Sequence, residues 1–557
     1  MLDHLRNLAE LHQQQAWRLG PRPAVRHKRH GLLHDYSHAA YHADALACAA
    51  ALVEAGIGPG DRVGVLSENR LEWLIADMGL LAAAAVNVPP HAPLTAPQIY
   101  YQLEDSQARW LFISTRRQLD KVQEIVANLP ELRGIVVFDR LPALALRVGG
   151  PVTFSWDAFL AHGRQALERV HTELAHRVAR LGRDDLATIM YTSGTTGNPK
   201  GVMLTHGNLL SNVEQVLAAE PPGPDDVQLN WLPFSHIYAR TMDHYRTLAA
   251  GTVLALAESV DTLIDDLDLV WPTHMNSVPR FYEKVLTAEA SSDPAETARG
   301  LRKVFGPRID FLCSGGAPLP LSVAEAYRAA GILLIQGYGL TESAPVITFN
   351  RKARHRLHTV GLPLPGVEVK IGADGEVLTR GPHVMPGYWN NPAATAEAIR
   401  DGWLHTGDIG KLDDDGFLAI TGRKKELLVL SNGKKVVPNH IEGLLLADPC
   451  IDQAVVCGEG KNFLTALIVP HFENLSKEFR PWTANEEACR AIEVYDFYQR
   501  RIHALLKDVS SWEQVKKFVL LPRAFSVAGD ELTVSLKLRR NVIVAKYRAE
   551  LERLYGE

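Results

Sequence analysis

The residues best suited to chemistry lie together in Tyr191-Thr192-Ser193-Gly194-Thr195-Thr196-Gly197-Asn198-Pro199-Lys200-Gly201-Val202. Two glycines bracket a threonine pair, hydroxyls supply donors without bulk, and Lys200 adds a point charge. Glycine lets the main chain turn and approach a ligand closely. Exposed N–H groups, hydroxyls and a lysine together suit phosphate oxygens. Apolar residues Ala187 to Met190 precede the run, so it reads as a strand ending in a loop. A solvated Gly/Ser linker would be longer, would lack the lysine and would not follow a buried strand. Spacing also excludes two familiar loops. A Walker loop needs glycine before its lysine, and here Gly201 follows Lys200. Gly337-Tyr338-Gly339 fails the dinucleotide fingerprint because Glu342 stands where the third glycine belongs.

Two further stretches repeat an apolar strand that ends in small residues: Phe311 to Leu319, with Gly316 and Ala317, and Leu333 to Ser343. Tyr338 can lay a ring against a base, and Glu342 offers a hard oxygen to Mg²⁺. Loops of this kind converge at strand ends on α/β scaffolds, so the three together point to an ATP site. Asp408, in Trp403-Leu404-His405-Thr406-Gly407-Asp408, is placed to accept bonds from ribose hydroxyls. His236 closes Leu232-Pro233-Phe234-Ser235-His236 at what reads as a strand mouth, although a lone histidine is more often structural.

These residues need a scaffold. Strand-like runs at Arg62 to Leu66, Val86 to Val88, Trp110 to Ile113 and Gly134 to Phe138 alternate with helical patterns, one an amphipathic helix through Trp73. That alternation predicts α/β architecture with parallel pairing. Between Pro23 and Leu52 the pattern is a strand, a turn at Gly31 and a helix opening after Ser37. His34, His38 and His42 share helical spacing, but Ser37 reads as an N-cap that leaves His34 outside the helix, so no metal site is expected there. Leu144 to Arg180 reads as a polar helical connector, and Asn208 to Leu217 as a helix. Gly361 to Gly422 is rich in Gly, Pro and short strands, predicting a small β subdomain. The charge run Arg423-Lys424-Lys425-Glu426 marks a boundary. Beyond it come a helix over Asn439 to Ala447, strands near Gln453 to Cys457 and Leu464 to Val469, and long C-terminal helices.

A chain of 557 residues exceeds one core. Its 46% hydrophobic content, 22% charge and net charge of −5 are those of a soluble globular protein without the basic excess that nucleic acid requires. Five scattered cysteines without a C-x-x-C read as buried free thiols in a reducing cytosol. Met1 to Gly20 is polar and lacks a signal pattern, and Leu80 to Val88 is too short to span a bilayer. The expected setting is cytoplasmic, with at most peripheral contact at the inner membrane surface.

Four motifs in order (Tyr191 to Val202, Gln336 to Ser343, Trp403 to Asp408 and Thr421 to Lys425) resemble the adenylate-forming, AMP-binding superfamily over nearly the whole chain. Leu232 to His236, Gly422 to Leu427, Ser431 to Glu442 and Glu531 to Leu538 are most similar to bacterial long-chain fatty-acid–CoA ligases. The resemblance implies a large N-terminal AMP-binding domain over 1–422, of α/β layers plus a small β subdomain. A hinge at 423–425 and a smaller mobile α+β domain over 426–557 would follow.

It also implies a two-step reaction. A carboxylate attacks the α-phosphorus of Mg-ATP, releasing pyrophosphate, and the thiol of coenzyme A then attacks the acyl-AMP. Thr192, Ser193, Gly194, Thr195, Thr196, Gly197 and Lys200 would cradle the β- and γ-phosphates. Gly316, Ala317 and Tyr338 would hold the adenine, Gly337, Gly339 and Thr341 would also bind the nucleotide, and Asp408 and Arg423 would hold the ribose. Glu342 would bind Mg²⁺, with Thr192 or Thr195 as helper. Lys537 would bridge carboxylate and nucleotide, Lys425 would be the hinge, Gly433 and Lys435 would line the thiol path, and His236 would gate or orient the acid. Leu536 replaces the glycine that many relatives place before the C-terminal lysine, and Ala239-Arg240 stands where long-chain enzymes often carry Glu-Arg. Alternatives are an acyl-AMP ligase loading an acyl-carrier protein, a CoA ligase for an aryl or branched acid, and a silent nucleotide-binding regulator.

Overall fold

The computed structural model describes residues 4–29, 31–142, 150–192, 198–479, 486–526, 529–532 and 538–556. Two compact units emerge. The first comprises 1–370, 378–405 and 413–418, and the second comprises 371–377, 406–412 and 419–557.

The first unit is built on two large sheets. One runs Gly387–Tyr388, Lys200–Thr205, Leu186–Thr192, Val86–Val88, Arg62–Leu66, Trp110–Ile113, Gly134–Val137, Val152–Ser155. Its strands pair in parallel from Leu186–Thr192 onward, as alternating strands and helices require. The other runs Leu362–Pro363, Val346–Phe349, Leu333–Gly339, Phe311–Ser314, His274–Ser277, Val227–Asn230, Val253–Leu256, Pro23–Arg29, Leu32–Ser37. Its centre is parallel and both ends carry antiparallel pairs.

Several expectations change on meeting the structure. Leu71–Ala82 is not amphipathic: every residue from Trp73 to Ala82 is buried, so the helix belongs to the interior of the layer. The stretch read as a connector contains an edge strand, Val152–Ser155, and a 25-residue helix, Trp156–Arg180. That helix packs directly on His38–Glu54. A Cβ at Gly163 would stand 1.9 Å from Ala47 O, so only glycine permits the crossing. Ser37 does cap His38–Glu54, accepting a hydrogen bond from the Ala40 N–H, and His34 lies on the preceding strand. Thr205 and Asn208 form a reciprocal cap on His206–Ala219.

Strands Glu368–Ile371, Glu376–Arg380, Trp403–Leu412, Ile399–Arg400 and Leu418–Arg423 form a five-stranded sheet, the expected β subdomain. The second unit carries Ile451–Cys457, Leu464–Pro470 and Val515–Leu520 in one sheet and the hairpin Leu428–Val429 with Lys435–Val436. Among the described residues the expected long C-terminal helices reduce to one, Ile492–Leu505. Ile492–Leu505 is followed by the strand Val515–Leu520 and two short helices, Arg540–Lys546 and Arg548–Tyr555. The five cysteines are buried, and none is in a disulfide among the described residues. Among the described residues no helix is long and apolar enough to cross a membrane.

Candidate active site

Leu186–Thr192 and Lys200–Thr205 form an antiparallel hairpin in which Thr192 faces Lys200. Residues 193–197, which hold Ser193, Gly194, Thr195, Thr196 and Gly197, lie outside the described residues. The base of the loop is fixed by two tyrosines. Tyr191 donates to Asp105 Oδ2 at 2.5 Å, and Tyr101 donates to Pro199 O at 3.1 Å. Burial and the Asp105 charge push the Tyr191 phenol well above its ordinary range, so it remains a donor.

Lys200 opens the returning strand, and its Nζ lies 5.0 Å from the centre of the Tyr388 ring. The same tyrosine donates to Glu342 Oε1 at 2.8 Å. Three residues far apart in sequence therefore meet. The contact exists because Gly387–Tyr388 adds to the free edge of the hairpin, with Tyr388 opposite Val202 and Gly387 opposite Met203. Met385 N–H donates to the Glu342 carbonyl at 2.9 Å and Trp389 N–H to the Gly201 carbonyl at 2.7 Å, so both flanks of Tyr388 are strapped down.

Glu342 sits in the single turn Thr341–Ser343, directly after Leu333–Gly339. At Gly339 a Cβ would fall 1.8 Å from Pro345 O, so the chain can double back past this point only as glycine. Gly337 and Tyr338 precede it, Tyr338 paired opposite Thr348. Gly316 and Ala317 are exposed at the end of Phe311–Ser314, the parallel neighbour of Leu333–Gly339. Gly316, Ala317, Gly337, Tyr338, Gly339, Thr341 and Glu342 thus gather at the carboxyl ends of two adjacent strands, where ligands bind in open α/β sheets.

His236 does not end a strand. The strand stops at Asn230, and His236 follows a turn whose shape is set by Asn69. Asn69 Nδ2 donates to Asn230 Oδ1 and the Leu232 carbonyl, while its Oδ1 accepts from Phe234 N–H. His236 Nδ1 accepts from Tyr238 N–H at 3.2 Å, which puts the proton of the neutral ring on Nε2. Its ring stacks on His91, whose Nδ1 meets Ser235 Oγ at 2.6 Å and whose pKa burial pushes down to about 4.

The helical stretch after His236 holds a buried charge network that sequence reasoning missed. Arg240 is fully buried beside the equally buried Asp77. Its Nη2 lies 2.5 Å from Asp77 Oδ1, and it donates also to Thr188 Oγ1 at 2.7 Å and Tyr245 Oη at 2.9 Å. Burial opposes ionisation of Asp77, but Arg240 and His244 outweigh it and hold the carboxyl well below the usual range. Asp243, three residues on, takes hydrogen bonds from Asn230 and Asn276, both at 2.6 Å, and from Gln228. Burial still wins there and pushes the carboxyl up to about 7. The available signal was the alternation of Gln228 with Asn230 and of His274 with Asn276, which puts polar side chains on one face of each strand.

In the second unit Asp408 is 5% exposed and its Oδ1 accepts from Arg423 Nε at 2.9 Å. Lys424 Nζ pairs with Asp374 at 2.6 Å and Glu376 at 3.0 Å. Lys425 lies in the short helix Lys424–Glu426. Gly433 turns the Leu428–Val436 hairpin at φ +78°, and Lys435 is exposed on its returning strand. Lys537 lies outside the described residues, within a segment whose flanks, Leu532 and Leu538, bridge in antiparallel fashion. Among the described residues no group of three or more His, Cys, Asp and Glu side chains could hold a metal ion.

A family model described as AMP-binding enzyme matches residues 13–389, and one described as AMP-binding enzyme C-terminal domain matches residues 425–557. The chain is 34% identical to the long-chain-fatty-acid–CoA ligase FadD15 of Mycobacterium tuberculosis, covering 92% of this chain and 90% of that protein. It is 30% identical to long-chain-fatty-acid–CoA ligase 1 of Homo sapiens, covering 91% and 80%. Among solved structures, the anthranilate CoA ligase AuaEII in complex with anthranoyl-AMP is similar with a TM-score of 0.81 at 20% identity, over 98% of both chains. ATP-bound MatB from Rhodopseudomonas palustris is similar with a TM-score of 0.73 at 25% identity, over 97% of this chain and 99% of that one.

Proposed function

Because this chain belongs to the AMP-binding enzyme family, we infer that the meeting of Lys200, Tyr388 and Glu342 is the phosphate side of an adenylating site. The chain is an acid–thiol ligase: it activates a fatty acid with ATP as acyl-AMP and passes the acyl group to coenzyme A, releasing AMP and pyrophosphate. The relatives named long-chain-fatty-acid–CoA ligases support that choice of substrate, and the observation that carries the site is the Lys200–Tyr388–Glu342 contact.

In the first step a carboxylate oxygen forms a bond to the α-phosphorus and the bond to pyrophosphate breaks. The protein's task is positioning and charge stabilisation. We assign Lys200, with Thr192 and residues 193–197, to the β- and γ-phosphates. Gly316, Ala317 and Tyr338 take the adenine, with Gly337, Gly339 and Thr341 also at the nucleotide, Asp408 and Arg423 take the ribose, and His236 orients the acid. The residues present fit magnesium. One hard carboxylate, Glu342, with Thr192 beside the phosphates, suits an ion that keeps several waters and takes one or two carboxylates plus phosphate oxygens. When bound, the ion would neutralise charge developing on those oxygens. Lys537 contributes charge at the attacking carboxylate. Lys425, in a hinge at 423–425 between domains 1–422 and 426–557, lets the smaller domain turn so that Gly433 and Lys435 line the thiol path. In the second step the sulfur of coenzyme A attacks the acyl carbon and AMP leaves. The work proceeds on the cytoplasmic side, with at most peripheral membrane contact.

The test is pyrophosphate release with a panel of carboxylic acids, with and without coenzyme A. Long-chain fatty acids should give the highest release and a coenzyme A thioester. No release with any acid would sink the reading, and transfer only to a phosphopantetheine carrier would replace coenzyme A as acceptor. Lys537→Ala should lose acyl-AMP formation by roughly a hundred- to thousandfold. It should still convert preformed acyl-AMP and coenzyme A, and equal loss of both half-reactions would rule out domain alternation.

A further inference from the structure

Tyr388 holds no substrate group itself, yet it is the residue through which Lys200 and Glu342 meet. Its hydroxyl donates to Glu342 Oε1 at 2.8 Å, and the face of its ring lies 5.0 Å from Lys200 Nζ. An aromatic face attracts a cation through its quadrupole, and a phenol hydrogen bonded to a carboxylate is charge-assisted. Each charge therefore meets a different feature of one half-buried ring.

The hydroxyl is not needed to hold the segment. Pairing with Val202 and Met203, the Met385 N–H to Glu342 carbonyl bond, the Trp389 N–H to Gly201 carbonyl bond and the Tyr388 N–H to Thr395 Oγ1 bond at 2.9 Å already fix the backbone. Partners that orient a metal-ligating carboxylate commonly change metal affinity by roughly 10–100-fold.

We propose that Tyr388 is a positioning residue: it fixes Glu342 for a divalent cation while presenting Lys200 to the same phosphates, and so sets the cation affinity of the nucleotide complex. This rests on the adenylating reading of the site. Binding of Mn²⁺ to the full chain with a non-hydrolysable ATP analogue, followed by the electron paramagnetic resonance of free Mn²⁺, measures that affinity without turnover. Tyr388→Phe keeps the ring and removes the hydroxyl. Its Mn²⁺ affinity should fall roughly tenfold, with thermal midpoint and analogue affinity at saturating Mn²⁺ near the parent's. Tyr388→Leu should lose analogue affinity as well, because Lys200 loses its ring. In a Glu342→Gln background, Tyr388→Phe should add little further loss.

A Mn²⁺ titration of folded Tyr388→Phe that superimposes on the parent's overturns the proposal, as does an equal loss in both backgrounds. Should Tyr388→Phe fail to fold, a ring-fluorinated tyrosine at position 388 decides. Its ¹⁹F resonance should shift when Mg²⁺ joins the analogue complex, and no shift overturns the proposal. If the parent releases no pyrophosphate with any acid, the assigned function falls, while the Mn²⁺ arm still decides this inference.

Discussion

Arg240 and Glu342 are charged side chains in the same unit, and the fold treats them in opposite ways. Arg240 is fully buried and its fork is met by Asp77, Thr188 and Tyr245. Glu342 is half-buried, and of the roughly four acceptor positions on its carboxylate Tyr388 takes one. Burying a charge is tolerable only when nearly every hydrogen-bonding direction is satisfied. A saturated charge can brace a helix between sheets but has nothing left for a ligand. Glu342, held among the described residues by Tyr388 in the turn after a strand, keeps capacity for one. The contrast is between a charge whose hydrogen-bonding directions are filled and one that keeps acceptor positions open, inside a single unit.

The strongest way to break that division is to neutralise each side. Glu342→Gln should cost pyrophosphate release on the order of a hundred- to thousandfold, because a group at developing charge is lost, while thermal stability barely moves. A large drop in the unfolding midpoint would put Glu342 with Arg240. The converse change, Asp77→Ala, leaves the Arg240 charge buried and unpaired. It should destabilise the fold by about 3–5 kcal/mol in urea unfolding. A change below ~1 kcal/mol would show that Arg240 finds other partners and that the saturated class is not needed for stability.

Acid titration sharpens the same comparison. Burial pushes Asp243 up to about 7, so between pH ~4 and 7 the folded chain binds a proton that the unfolded chain has lost. Its contribution is full below the unfolded pKa and is lost as pH rises through 7. His38, His206 and His383 are pushed down to about 4 by burial, so below pH ~6.5 the unfolded chain binds the extra protons and stability falls with falling pH. The two effects oppose each other. Asp243→Asn should remove one of them, steepening the rise in stability from pH 5 to pH 6 by up to about 1.4 kcal/mol. Urea melts of parent and variant at the two pH values measure it. Identical slopes would mean that Asp243 is ionised across the range and belongs with Asp77.

The same contrast marks what could be read from the residues alone. The positions of the strands, the hydroxyl-rich loop and the Gly-Tyr-Gly run before Glu342 are local: a few consecutive residues carry the signal, as at Gly339, where the chain folds back on Pro345. Tyr388 was not legible, because its strand is two residues long and its partners lie 188 and 46 positions away. Arg240 was legible only as a departure bearing on acyl specificity. Its partner Asp77 sits in a helix whose apolar composition gave no hint that a carboxylate was enclosed. The strand Val515–Leu520 was missed because Lys516 and Lys517 interrupt its alternation at an exposed end.

The finest test lies with Arg423 and Asp408, which combine features of both classes. The Asp408 side chain is 7% exposed and resembles Asp77, yet the Arg423 side chain is 44% exposed and can be solvated if its partner is removed. Ion pairs with one exposed member contribute little, ~0.2–1 kcal/mol, because water screens the charge and ordering a long side chain costs entropy. Arg423→Gln keeps a donor near Asp408 and should change unfolding free energy by less than about 1 kcal/mol. If the pair instead serves the ribose, the substitution should weaken binding of an ATP analogue several-fold in calorimetry with the fold intact. Loss of stability without loss of binding would move Asp408 into the braced class. Loss of binding without loss of stability would place it with Glu342, as a charge that serves a ligand.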